Sequence, residues 1–321
     1  MRTAEGRLGQ ITRPLERVGV YVPGGYTVYP SSLLMNVIPA QLAGVKEIVA
    51  VTPGKGGLDP KLAFAFDYLG VTEVYRMGGA HAIGALAYGT RSVRPVEKVV
   101  GPGNLYVALA KKAVYGTVDI DMVAGPSEVA VLADSTADPR HVALDMLAQA
   151  EHGTGDEMAV CITENRRVAQ RVHSCLVQEI AQSEVKDVFG RLRPGGLCIC
   201  VTKSRSRSLE LVNRIAPEHL QIITKRPRKD LEGVRNAAAV FLGKHTPVAL
   251  GDYFVGTNHV LPTGGASRFA SALGVDDFLK RISVAEVSAR GLESAAPHVS
   301  AFARAEGFVH HAVSVESRVK K

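Results

Sequence analysis

The chain has 321 residues, 46% of them hydrophobic and 21% charged, a composition that excludes disorder and, since single cores stop growing at roughly 250 to 300 residues, points to two domains. The formal charge of +7 is scattered, and its densest runs, residues 203–207 and 225–229, hold no aromatic residue to stack on a base, so a solvated surface that attracts anionic ligands is expected rather than a nucleic-acid site. No apolar run approaches the ~18 residues of a membrane span, and residues 1–6 lack the apolar centre of a signal peptide, so a cytoplasmic protein with no membrane partner is expected.

In chain order, β-rich runs at residues 18–22, 47–51, 73–75 and 97–100 each precede a helical stretch, near residues 33–43, 60–69, 80–88 and 105–114. That alternation predicts a parallel sheet with crossover helices. A second series repeats the layout without repeating the sequence: strands at 128–132, 158–162, 197–201 and 220–223, with helices near 140–150, 167–182 and 208–215. Beyond Asp276 the pattern is mostly helical, and a tail this short packs on the body or on a partner subunit. The fold class is therefore α/β, two Rossmann-like α/β domains with a mostly helical C-terminal tail. Gly125-Pro126 is the expected boundary, which gives domains at 1–125, 126–272 and 273–321. The four cysteines are too few for a disulfide framework, Cys198-x-Cys200 has the wrong spacing for a zinc knuckle, and all four read as buried thiols.

Several motifs can carry chemistry, each with a plain alternative. Val22-Pro-Gly-Gly25 and Val100-Gly-Pro-Gly-Asn104 follow apolar strands, where backbone amides can approach a phosphate, but neither matches Gly-x-Gly-x-x-Gly and ordinary turns look the same. Gln149 and His152 stand three apart on a predicted helix, with Asp145 one turn earlier; two donors on one face can share a metal, and a satisfied pair at a helix end is the commoner outcome. Glu218 and His219 are adjacent after a proline, and on a turn both can reach a cleft as proton acceptors. Asp252 and His259 lie in a segment rich in turn formers, where an Asx turn is the structural use. Glu306 and His311 sit in the tail, where an exposed charge pair is unremarkable. Taken together, Gln149, His152, Asp252 and His311 supply nitrogen and oxygen ligands without a thiolate, which suits catalytic zinc better than structural zinc.

Ile120-Asp-Met-Val-Ala-Gly-Pro-Ser-Glu128, running on to Leu147-Ala-Gln-Ala-Glu-His152, resembles the signature of the histidinol dehydrogenase family. The resemblance extends over nearly the whole chain, through the 18–25 strand and turn, Gly78-Gly-Ala-His-Ala-Ile83, Gly101-Pro-Gly-Asn104, Ala216-Pro-Glu-His219, Gly251-Asp-Tyr253, Asn258-His-Val-Leu-Pro-Thr263, and Glu306-Gly with His311-Ala. It implies a zinc- and NAD-dependent oxidoreductase that takes L-histidinol through the aldehyde to L-histidine with reduction of two NAD, the last step of histidine biosynthesis. It further implies a homodimer with shared active sites. By this resemblance Gln149, His152, Asp252 and His311 hold one zinc ion per subunit, His311 coming from the partner chain. Ser127, Glu306 and His219 join these four in contacting substrate, with His259 nearby. Glu218 and His219 move protons, and Tyr21, His81 and Asn104 contact the dinucleotide. His81 departs from the glutamine usual in the family, which implies weakened or retuned NAD binding. The chain begins almost at the Tyr21 strand, so part of the second domain, supplied by the family's leading segment, is expected to be missing. The competing readings are a non-catalytic, dimerising zinc-binding remnant and a dehydrogenase of a related amino alcohol or diol.

Overall fold

The computed structural model describes residues 2–3, 5–24, 28–54 and 57–319; Gly25, which closes the first glycine turn of the sequence reading, lies outside them. The chain divides into two compact units, one of residues 16–278 and one that joins residues 1–15 to residues 279–321. Strands Arg2–Thr3 (β1) and Gly6–Pro14 (β2) belong to the smaller unit.

The larger unit holds two sheets. Arg17–Tyr21 (β3), Glu47–Val51 (β4), Glu73–Tyr75 (β5), Lys98–Val100 (β6) and Asp119–Ile120 (β7) form a parallel sheet in the order β5-β4-β3-β6-β7. Helices Pro30–Ala43 (α1), Pro60–Tyr68 (α2), Gly79–Tyr88 (α3) and Leu105–Val114 (α4) make the crossovers. Glu128–Ala133 (β8), Met158–Thr163 (β9), Leu197–Val201 (β10), His219–Ile223 (β11) and Ala239–Leu242 (β12) form the second parallel sheet, in the order β10-β9-β8-β11-β12. Its helices are Pro139–Ala150 (α5), Arg166–Gln182 (α6), Lys186–Phe189 (α7), Arg205–Ile215 (α8) and Pro227–Leu231 (α9), and Val248–Tyr253 (α10) follows β12.

Both sheets therefore share one order, third-second-first-fourth-fifth, the winding of a dinucleotide-binding half. Helices cover both faces, so β3 is buried at every position and β8 at every position after the first. This is why these strands read as apolar runs, Val18-Gly-Val-Tyr21 and Val129-Ala-Val-Leu-Ala133, rather than as alternation. Five of the crossover helices, α2, α4, α5, α6 and α8, start at a side-chain cap: Asp59, Asn104, Asp138, Asn165 and Ser204 each accept a first-turn backbone N–H.

Winding direction then decides where side chains meet. In the first sheet the gap between first and fourth strands opens at the carboxyl ends of β3 and β6, where Tyr21 ends one strand and the 101–104 turn follows the other. In the second sheet the amino ends of β8 and β11 carry Ser127-Glu128 and Glu218-His219. α5 runs back against its strands and returns the chain to the same amino end, delivering Gln149 and His152 there.

In the smaller unit β2 pairs antiparallel with β1 and with Leu279–Val287 (β13), from Pro14 opposite Leu279 to Gly6 opposite Val287. Helices Ala289–Ala305 (α11) and Val309–Glu316 (α12) follow, tied by Arg304 donating to both Glu316 oxygens at 2.8 and 2.9 Å. The tail is thus helical from residue 289 onward, but a strand precedes it. Of the four cysteines Cys161 is buried, whereas Cys175 on α6 and Cys198 and Cys200 on the edge strand β10 are half-buried.

Candidate active site

A cavity of about 380 Å³ in the larger unit is lined by Ser127, His152, Glu218, His219, Asp252 and His259 on one side and by Asn104, the 102–103 turn and Tyr29 on the other. It joins the carboxyl end of the first sheet to the amino end of the second.

His219 opens β11 and is only 5% exposed. Its Nδ1 lies 3.3 Å from the Glu128 carbonyl oxygen, which can only accept, so Nδ1 carries the proton and Nε2 holds a free lone pair. Nε2 is buried without a hydrogen-bond partner and lies 3.9 Å from Asp252 Oδ1. Burial pushes the imidazole down to about 4, so it is neutral at physiological pH. Glu218, also buried, has Oε2 3.7 Å from His219 Nδ1 and accepts the Glu128 N–H at 3.0 Å. Burial lifts its carboxyl to about 8, and the neighbouring Glu128 and Asp252 carboxyls add to the rise while Ser127 opposes it through a side-chain hydrogen bond.

His152 lies beyond the end of α5, not on the helix face, and folds back so that Nδ1 is 2.9 Å from the Gln149 carbonyl oxygen. The exposed Nε2 edge stays available. The Gln149 amide, buried, lies 3.4 Å from the same Nδ1. Asp252 sits within α10 rather than on a turn, half-buried, and burial raises its carboxyl. His259 keeps a buried Nε2 with no partner, and burial lowers its ring.

Around the first sheet, Tyr21 is buried and its hydroxyl accepts the Gly79 N–H at 3.1 Å. Asn104 caps α4 and is exposed, as is His81 in the first turn of α3. Gly101 has φ +108°, and a Cβ there would lie 2.1 Å from the Tyr21 carbonyl oxygen, so only glycine fits. Glu306 and His311 belong to the smaller unit; both are exposed, Glu306 at the end of α11 and His311 on α12, 5.1 Å between ring centroids from Phe308.

Four supporting groups escaped the sequence reading of the site. Glu157, 2% exposed, accepts the Thr154 N–H and hydroxyl at 2.7 Å and the Gly155 N–H at 2.8 Å, which fixes the turn after His152. Lys111 and Asp121 form a buried ion pair, and together they hold both peptide groups of Gly101: Asp121 accepts its N–H at 2.8 Å and Lys111 donates to its carbonyl at 2.9 Å. Thr263 Oγ1 accepts the Gly125 N–H at 2.5 Å. Asp121 and Thr263 stood inside quoted motifs; Glu157 and Lys111 gave no signal.

Among the described residues no three His, Cys, Asp or Glu side chains converge in a geometry that could hold a metal. His152 and Asp252 are the two of those types that the expected ligand set has in the larger unit.

The family model for histidinol dehydrogenase matches residues 1–319. Histidinol dehydrogenase of Bacillus subtilis (strain 168) is 49% identical over 323 residues, which cover 98% of this chain and 74% of that protein. That of Aquifex aeolicus (strain VF5) is 49% identical over 97% of this chain and 72% of its own length. The crystal structure of histidinol dehydrogenase from Elizabethkingia anophelis superposes with a TM-score of 0.94 at 35% identity, covering 99% of this chain and 74% of that one. An acetylating aldehyde dehydrogenase from Geobacillus thermoglucosidasius shares the fold alone, with a TM-score of 0.58 at 14% identity over 89% of this chain and 78% of that one. With the match spanning nearly every residue, the chain belongs to the histidinol dehydrogenase family, NAD-dependent oxidoreductases that convert histidinol to histidine in histidine biosynthesis.

Proposed function

We propose that the cavity is where histidinol is oxidised, with zinc held by Gln149, His152, Asp252 and His311 of the partner subunit, and with NAD on the side of Tyr21, His81 and Asn104. One observation carries this reading: a buried, neutral His219 keeps an unpartnered Nε2 beside Asp252, with Glu218 next to it in the same cavity.

The residues fit a zinc ion by their chemistry. Nitrogen and oxygen donors without a thiolate suit a catalytic ion, and the orphaned Nε2 atoms of His219 and His259 imply a polar occupant. His152 and Asp252 are the His and Asp ligands in the larger unit, and the family resemblance assigns the fourth ligand, His311, to the partner subunit. When bound, zinc supplies a Lewis acid that orients the amine and imidazole of histidinol, and NAD accepts the hydride.

The chain's own groups do the rest. His219 takes the alcohol proton on Nε2 as the first oxidation proceeds. Glu218 accepts a proton from the water that adds to the aldehyde once its own carboxyl, lifted to about 8 by burial, has ionised, so this step quickens as pH rises toward that value. Ser127 holds Glu218 by its hydroxyl and, with Glu306, contacts substrate. The first domain, to residue 125, binds the dinucleotide and the second, 126–272, carries the zinc and proton-transfer groups.

The homodimer rests on the smaller unit. β2 and β13 are exposed on both faces, and Leu8, Ile11, Ile282, Val284, Val287, Phe302 and Phe308 are open to solvent. So few strands, bare on both faces, are marginal by themselves, and an apolar surface of this kind marks an interface. No helix among the described residues is long and apolar enough to cross a membrane, in keeping with a cytoplasmic address.

Purified protein with zinc, histidinol and NAD is expected to form NADH. His219→Asn should lower the rate by about 10² to 10⁴ while zinc content holds, whereas His152→Ala should release zinc. Equal metal loss in both variants would overturn the residue assignment.

A further inference from the structure

Glu128 closes the Gly125-Pro-Ser-Glu128 segment and opens β8, directly beside the entry to β11. Its backbone serves both proton-transfer residues: the N–H donates to Glu218 Oε2 at 3.0 Å, and the carbonyl oxygen faces His219 Nδ1 at 3.3 Å. Its side chain returns the exchange. The backbone N–H groups of Glu218 and Gly264 both reach the Glu128 carboxylate. Glu218 thus accepts the Glu128 N–H, the Glu128 carboxylate faces the backbone N–H groups of Glu218 and Gly264 in return, and Thr263 of the same 259–264 loop holds Gly125. A parallel ladder fixes backbone register but leaves the side chains at its amino end free; this reciprocal pair supplies the missing constraint. The cavity wall includes Ser127, Glu218 and Thr263 among the described residues but not Glu128, so the residue acts through its neighbours.

We propose that Glu128 is a positioning residue for oxidation at this site, holding the Glu218 carboxyl, the His219 ring and the His259 loop in one arrangement through its backbone and its carboxylate. The inference rests on the assignment of Glu218 and His219 as the proton-transfer pair. The carboxylate's second oxygen is buried without a partner. Methionine at position 128 keeps the volume but removes both acceptors, whereas glutamine keeps one.

Kinetics of Glu128→Met, Glu128→Gln, Glu218→Gln and the Glu128→Met/Glu218→Gln pair test the proposal. Glu128→Met should lower kcat about 10- to 100-fold with zinc content intact, and Glu128→Gln should recover most of that loss. On the Glu218→Gln background, Glu128→Met should cost less than about threefold, because the group it positions is already gone. A wild-type kcat in Glu128→Met, or losses that multiply in the pair, overturns the proposal, since a purely structural carboxylate gives independent factors. Should the methionine variant not fold, amide exchange decides: slow exchange at Glu218 and Gly264 in the wild type that persists in Glu128→Gln supports it, and fast exchange of both amides in the wild type overturns it. An undiminished rate in His219→Asn would strike the site assignment instead, leaving the exchange result to judge Glu128.

Discussion

Glu218 and His219 are neighbours driven apart by a single cause. Burial disfavours charge of either sign, so it lifts the carboxyl to about 8 and drops the imidazole to about 4, and near neutral pH the metal-free pair is uncharged. Asp145, on α5, shows the cost of the same effect without an active-site role. Burial pushes it up to about 6 against an opposing hydrogen bond from Gln221, two residues beyond His219 on β11. A carboxyl raised from 3.8 in the unfolded chain contributes stability in full below that value, and loses it as pH rises through about 6. The shift caps the effect at about 3 kcal/mol, and partial solvation reduces it to about 1–2 kcal/mol. Asp145→Asn, which still accepts from Gln221, is therefore expected to stabilise the protein by that amount near pH 8 and by nothing near pH 4. Urea unfolding at both pH values checks this, and an equal gain at both would refute it.

At the scale of elements, the turn after β6 is held by a charge pair that the fold has buried. Lys111 on α4 and Asp121 after β7 leave 3% and 1% of their side chains exposed, and between them they satisfy both peptide groups of Gly101. Removing one partner strands a charge in the interior. Asp121→Asn should cost about 3–5 kcal/mol, whereas adding Lys111→Met to it should restore part of the loss; additive losses in denaturant titrations would show that the two do not act as a pair. Legibility from the sequence followed the same physics. Strands covered on both faces, such as Val18-Gly-Val-Tyr21 and Val129 to Leu132, stand out as apolar runs, and their limits lie within a residue or two of the structure. β2 and β13, solvated on both faces, carry no alternation to read, and the two-residue β7 is shorter than any pattern. Asp252 looked like a turn residue because Gly251, Gly256 and Asn258 crowd its segment, yet Val248 and Leu250 begin a short helix there. The motif residues of the site could be named from the sequence; Glu157, Lys111 and the role of Glu128 could not, because what they bind is backbone.

For the whole molecule, the decisive question is whether one active site draws on two chains. His152, Asp252 and His219 share one cavity wall in the larger unit, whereas Glu306 and His311 belong to the smaller one, whose sheet and helices leave apolar side chains bare. If His311 completes the zinc set of the partner subunit, lesions at His219 and at His311 fall in different sites when carried by different chains. In a dimer with two-fold symmetry, a mixed pair of His219→Asn and His311→Ala chains then holds one site with both lesions and one with neither. Mixing the two inactive proteins under conditions that exchange subunits should make about half of the dimers mixed, restoring about a quarter of wild-type activity. Mixing His219→Asn with Asp252→Ala should restore nothing under shared sites, because both lesions lie in the larger unit and each site then keeps one of them. If each chain instead supplied its own His311, the first mixture would stay as inactive as its parts. Activity measured against the mixing ratio, with dimer content followed by light scattering, separates the two arrangements.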